Sequence, residues 1–97
     1  MITVASKRNG ATGEYIGRPS LLGNPFAIGR DGTRDEVIAK YREWLWDEYQ
    51  NDVSGISSEL KRLAALAQSG DLTLVCWCAP LPCHGDVIKA AIERLNK

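Results

Sequence analysis

The segment from Leu72 to Cys78 constrains the fold more than any other part of the chain. Leu72, Leu74, Cys76 and Cys78 alternate with Thr73, Val75 and Trp77, so both faces of an extended segment here are largely apolar. That pattern belongs to an interior strand covered on both sides, as in the parallel sheets of α/β proteins. After it, Val87, Ile88, Ala91, Ile92 and Leu95 recur at helical spacing, with Lys89, Glu93, Arg94 and Lys97 opposite. The turn between strand and helix is where open α/β sheets bind ligands.

The rest of the chain supplies partners for that strand. Ile2 to Ala5 is a β-branched run read as a second strand, and Ser6-Lys7-Arg8-Asn9-Gly10 is a polar turn. Residues 10–33 are dense in Gly and Pro and form a long loop, with one short strand expected at Phe26-Ala27-Ile28. Loops of that length in small domains are usually functional or disordered. The apolar Tyr15, Ile16, Leu21, Leu22 and Phe26 argue that this one packs. Thr33 and Glu36 have capping-box spacing, and Val37, Ile38, Tyr41, Trp44, Leu45 and Tyr49 follow on one helical face. A second helix follows Gly55, with Ile56, Leu60, Leu63 and Leu66 on its buried face. Two helices between two strands make a crossover, so the first and last strands are expected to be parallel neighbours. The expected architecture is a single α/β domain over residues 1–97. Its sheet is small, mostly parallel and Rossmann-like, flanked by about three helices.

Composition narrows the partners. Twelve basic and twelve acidic residues balance, so no basic field points to nucleic acid. No apolar run is long enough to span a bilayer, and Met1-Ile2-Thr3-Val4 does not resemble the start of a secretory signal. An odd set of three cysteines does not suggest a disulfide framework, and a reducing cytoplasm is the expected compartment. The large aromatics leave room for a homodimer.

The stretch from Cys76 to His84 holds every cysteine and the single histidine. Cys83 and His84 open the last helix, where the N-terminal field lowers a thiol pKa, so Cys83 is a candidate activated nucleophile. His84 and Asp86 are candidate acid and base. Adjacent helical residues diverge by about 100°, so His84 is not automatically within reach of Cys83. Asp86 also opposes any bound anion. Cys76, Cys78, Cys83 and His84 form a permitted zinc donor set. However, Cys76 and Cys78 on one strand face would lie roughly 7 Å apart, so no metal is expected. Burial as small hydrophobes is the plainer reading, most of all for Cys76.

The loop from Tyr15 to Phe26 is the second constellation. Arg18, between Gly17 and Pro19, can clamp a phosphate or carboxylate through two parallel hydrogen bonds. Ser20 and Asn24 add neutral hydrogen bonds, and Tyr15 can stack on a base or sugar. Lys7 and Arg8 are expected to face the cysteine turn from the neighbouring strand, with Cys78 and Gly85 also at the ligand. The competing reading is turn chemistry alone, with Gly23-Asn24-Pro25 as a turn and Arg18 pinning the loop to an acid. Trp77 is expected in the core. No Walker loop, dinucleotide fingerprint or nucleophile elbow is present.

Taken together, Tyr15-x-Gly17-Arg18-Pro19-Ser20, Gly23-Asn24-Pro25-Phe26, Tyr41…Trp44-Leu45 and Cys76-Trp77-Cys78-x-Pro80-x-x-Cys83-His84-Gly85-Asp86-Val87-Ile88 make the chain resemble a known family. This is the phage and bacterial family called domain of unknown function 4326, a resemblance that carries no activity with it. From the residues themselves, the leading expectation is a pocket between the two motifs that binds a small phosphorylated, nucleotide-like ligand for sensing or sequestration. In a phage or bacterial setting this would suit a defence-related role. One alternative is a hydrolase or transferase on a nucleotide-like substrate, using Cys83, His84 and Asp86. The other is a zinc-stabilised interaction module. No cofactor, nucleic acid or membrane is expected.

Overall fold

A computed structural model describes residues 1–52, 54–78 and 81–97; Pro80 of the last motif lies outside them. The described elements are β1 (Ile2–Ser6), a 3-10 turn (Lys7–Asn9), β2 (Glu14–Tyr15), α1 (Arg34–Asn51), α2 (Ile56–Ser69), β3 (Leu72–Cys76) and α3 (His84–Leu95). They form a mixed α/β domain with three helices and a three-stranded parallel sheet. The sheet order is β1-β3-β2. β1 pairs with β3 from Ile2 opposite Leu72 to Ser6 opposite Cys76. On the other side of β3, Glu14 lies opposite Leu74 and Tyr15 opposite Val75.

The crossover expectation holds: β1 and β3 are parallel neighbours whose C-terminal ends share one edge. The helices pack on one another, and α2 and α3 reach the central strand. Leu72, Leu74 and Cys76 join Ile2, Leu60, Leu63, Ile88 and Ile92 in one core cluster. Val75 points to the other side of the sheet, where it is buried but outside that cluster. Thr3, on that same side, is exposed. The helix layer therefore covers one face, whereas the apolar run suggested cover on both.

Local chemistry explains most boundaries. Thr33 Oγ1 accepts from the Glu36 amide at 3.3 Å and the Glu36 carboxylate accepts from the Thr33 amide at 2.9 Å. A cap of this kind is worth about 1 kcal/mol. Val37, Tyr41 and Leu45 then face the core at four-residue intervals. On α2 the buried stripe runs through Ile56, Leu60, Leu63 and Ala64, and Leu66 is exposed.

The strand expected at Phe26–Ile28 does not form. There the Phe26 amide donates to Asn24 Oδ1 at 2.9 Å and the Ala27 amide to Asp31 Oδ2 at 2.9 Å. Side chains thus take the donors a strand would need. The loop's strand is instead Glu14–Tyr15. β3 ends at Cys76, and Trp77, expected in the core, is 46% exposed beyond it.

Candidate functional site

A cavity of about 360 Å³ opens at the C-terminal edge of the sheet. Four segments wall it. Trp77 and Cys78 continue from β3, and Pro82, Cys83 and His84 lead into α3. Gly17, Arg18, Asn24 and Phe26 to Ile28 come from the long loop, and Arg34, Val37 and Ile38 from the first turns of α1. The two sequence motifs thus border one space.

Hydrogen bonds hold the loop over this edge. The Ile16 amide donates to Val75 O at 2.9 Å, extending the pairing of β2 with β3. Tyr15 donates its hydroxyl to Arg18 O at 2.7 Å and accepts from Trp77 Nε1 at 2.9 Å. The buried Tyr41 hydroxyl donates to Leu22 O at 2.7 Å. Gly17 is required beside this staple, since a Cβ there would lie 2.5 Å from the Tyr15 hydroxyl. Across the cavity, Arg34 donates to Pro82 O at 3.1 Å, tying α1 to the approach of α3.

The wall carries two guanidinium groups, Arg18 and Arg34, and no carboxylate among its described residues. Arg18 makes no side-chain hydrogen bond or ion pair among the described residues, so it remains available. Asn24 uses Oδ1 on the Phe26 amide, which fixes the side chain and leaves its NH₂ group for other acceptors.

His84 lies 2.7 Å through Nε2 from Ile16 O. A carbonyl oxygen only accepts, so Nε2 carries the hydrogen and Nδ1 presents a lone pair. Burial pushes the imidazole pKa below its ordinary value of 6.5. The Arg18 charge acts in the same direction, against the opposing pull of Ile16 O and Asp86. The ring is therefore neutral at pH 7. Tyr41 packs edge-on against it, with centroids 5.1 Å apart.

The cysteine chemistry differs from the expectation. Cys83 is the N-cap of α3: its sulfur accepts from the Gly85 amide at 3.3 Å and lies 3.4 Å from Cys76 Sγ. Cys76 Sγ is also 3.6 Å from Ala5 O, which only accepts. The single thiol hydrogen of Cys76 therefore points to Ala5 O, and Cys83 donates to Cys76. Burial, reinforced by the Cys76 contact, pushes the Cys83 thiol up to about 12. The Cys83 sulfur thus serves the α3 cap, and its burial and its contact with Cys76 oppose the thiolate expected at this helix start. Half-buried Cys78 is the other thiol on the wall. Among the described residues, no group of three or more potential metal ligands is close enough to hold an ion.

Asp86 also has a structural task. Its Oδ2 accepts from the Cys83 amide at 3.1 Å, completing a capping box. It borders a separate groove between α1 and α3 that Arg42, Trp46 and Arg94 also line. Cys83, His84 and Asp86 are consequently not presented together on one wall. Gly85 is buried: a Cβ there would sit 2.8 Å from Val4 Cγ1 and 3.1 Å from Ile16 Cδ1. The Cys83 and Gly85 amides are both occupied by the cap.

Of the remaining expected ligand contacts, Tyr15, Ser20, Lys7 and Arg8 do not line the cavity. Tyr15 staples the loop. Ser20 Oγ is sealed without a hydrogen-bond partner among the described residues. Lys7 Nζ stands 4.8 Å from the Tyr15 ring centroid and 6.0 Å from that of Trp77. Arg8 is exposed, with its amide on Ser6 Oγ at 3.2 Å. The residue that sequence reasoning missed is Arg34. A cation in the first turn of a helix opposes the macrodipole, and that misfit was its readable signal.

A family model described as a domain of unknown function, DUF4326, matches residues 3–94. The chain belongs to this family. The match spans every residue that lines the cavity. No curated protein and no solved structure matches the chain.

Proposed function

We propose that the cavity binds a small phosphorylated, nucleotide-like ligand. The observation that carries this reading is the pairing of Arg18 and Arg34 on a wall without a carboxylate among its described residues. Guanidinium groups bind phosphate through paired, charge-assisted hydrogen bonds. Phe26, Ile28, Ile38 and the exposed ring of Trp77 offer apolar and aromatic surface for a base or sugar. The volume falls within the range of small-molecule sites. The position, outside the carboxyl ends of parallel strands, is the one Rossmann-like sheets use for such ligands.

Isothermal titration calorimetry against nucleoside monophosphates and nucleotide sugars tests the reading. Arg18→Ala removes about 1.5–3 kcal/mol of charged hydrogen bonding, a weakening of roughly tenfold to a hundredfold. Absence of binding across the panel, or binding indifferent to Arg18→Ala, would refute it.

A further inference from the structure

His84 is an unusual wall residue. It is 9% exposed, yet it borders the cavity with both Arg18 and Arg34. Its ring cannot turn over without losing the 2.7 Å bond to Ile16 O, and Tyr41 packs edge-on against it. The tautomer is thereby set, with hydrogen on Nε2 and a lone pair on Nδ1. Among the described residues, the one sealed side-chain polar atom without a partner is Ser20 Oγ. Nδ1 also has no partner among them and is not sealed, and His84 borders the cavity. The nearby titratable and charged groups do not change this state. Arg18 disfavours an imidazolium, the Asp86 charge that favours one is engaged in the cap, and the Cys83 thiol is protonated.

Among these polar wall groups, Arg18, Arg34 and the Asn24 NH₂ can only donate, whereas Nδ1 can only accept. An anion without hydrogens satisfies the donors and leaves Nδ1 desolvated and unpaired, which is costly in a confined site. We propose that His84 Nδ1 selects anions that also bring a hydrogen-bond donor, such as phosphate esters with a sugar hydroxyl or base N–H beside the charge, over donor-free anions such as sulfate. This inference rests on the phosphorylated-ligand reading and adds what must accompany the phosphate. A site of opposite polarity rejects ligands strongly by leaving its own polar groups unpaired, which is the general basis of such discrimination.

The substitution that isolates this atom is His84→Gln. The glutamine amide NH₂ stands where Nε2–H is, so the bond to Ile16 O survives while the Nδ1 acceptor is lost. The probes are adenosine 5′-monophosphate and inorganic sulfate, titrated calorimetrically into the full chain. The ratio of their affinities falls about tenfold in His84→Gln, the value of one hydrogen bond of this kind. A second readout uses the fact that the chain has a single histidine. Long-range ¹H–¹⁵N spectra of the histidine-labelled protein show a pyridine-like Nδ1 and a pyrrole-like Nε2. The Nδ1 resonance moves with the nucleotide and not with sulfate.

An unchanged affinity ratio in a folded His84→Gln protein, or hydrogen on Nδ1 in the free protein, overturns the inference and leaves the anion site standing. Failure of both probes to bind removes the phosphorylated-ligand reading and this inference with it.

Discussion

Replacing Gly85 by alanine tests how α3 is seated against the sheet, and with it the floor of the cavity. An added Cβ would lie 2.8 Å from Val4 Cγ1, 3.1 Å from Ile16 Cδ1 and 3.2 Å from Cys83 Sγ. All three neighbours are held: Val4 by pairing in β1, Ile16 by its amide on Val75 O, and Cys83 by the cap. Inserting a methyl into such a site costs about 1–3 kcal/mol. Alanine's helix propensity returns at most about 1 kcal/mol, so the net loss lies within about 0–3 kcal/mol and centres on about 1–2 kcal/mol. For a chain of this size that is a fall in Tm of roughly 4–16 °C. Urea denaturation should show a lower midpoint with an unchanged slope. Gly70→Ala is the control, because nothing lies within 4 Å of a Cβ there and its backbone is extended, with φ of 168°. It should stay within about 0.5 kcal/mol of the parent. If Gly85→Ala proved as stable as the parent, the helix start would not be seated as tightly as described, and the Cys83–Gly85 cap would lose its rationale.

Stability should also fall as pH drops below the ordinary histidine value of 6.5, because the unfolded chain takes up a proton that folded His84 resists. The slope, at most about 1.4 kcal/mol per pH unit, should vanish between pH ~6.5 and ~5 in His84→Gln, and an unaltered slope would count against a neutral buried ring. Iodoacetamide should label Cys78 at least about tenfold faster than Cys83, whose thiol is buried and held protonated. Peptide mass spectrometry gives both rates, and equal labelling would return Cys83 to the list of nucleophiles.

The parts of the fold that were legible in the sequence are those whose signals are local or periodic. Thr33-x-x-Glu36 marks the start of α1, because a cap is built from residues three apart. The parallel pairing of β1 with β3 follows from two apolar runs separated by two helices. β2 was not legible: two residues carry no period, and the strand exists through pairing with β3, not through its own composition. The cavity was legible as a meeting of two motifs, but which side chains face it was not. Tyr15 reads as a stacking residue until Trp77 Nε1 and Arg18 O are found on its hydroxyl.

Cys83-x-x-Asp86 repeats the arrangement of Thr33-x-x-Glu36, and the same capping logic applies to it. The sequence does not signal it, because cysteine is not among the usual N-cap residues. That one local assignment redistributes the chemistry of the whole edge. With the Cys83 and Gly85 amides engaged by Asp86 and Cys83 Sγ, the start of α3 keeps fewer donors for an anion, and the Asp86 charge opposes one. Attraction for an anion must then come from side chains, and the two that border the cavity, Arg18 and Arg34, arrive from a loop and from a different helix. Their placement depends on contacts distant in sequence, Trp77 to Tyr15, Tyr41 to Leu22 and Arg34 to Pro82. Substitutions at those supports should therefore weaken ligand binding without touching the ligand, whereas substitutions in the α3 cap should act first on stability.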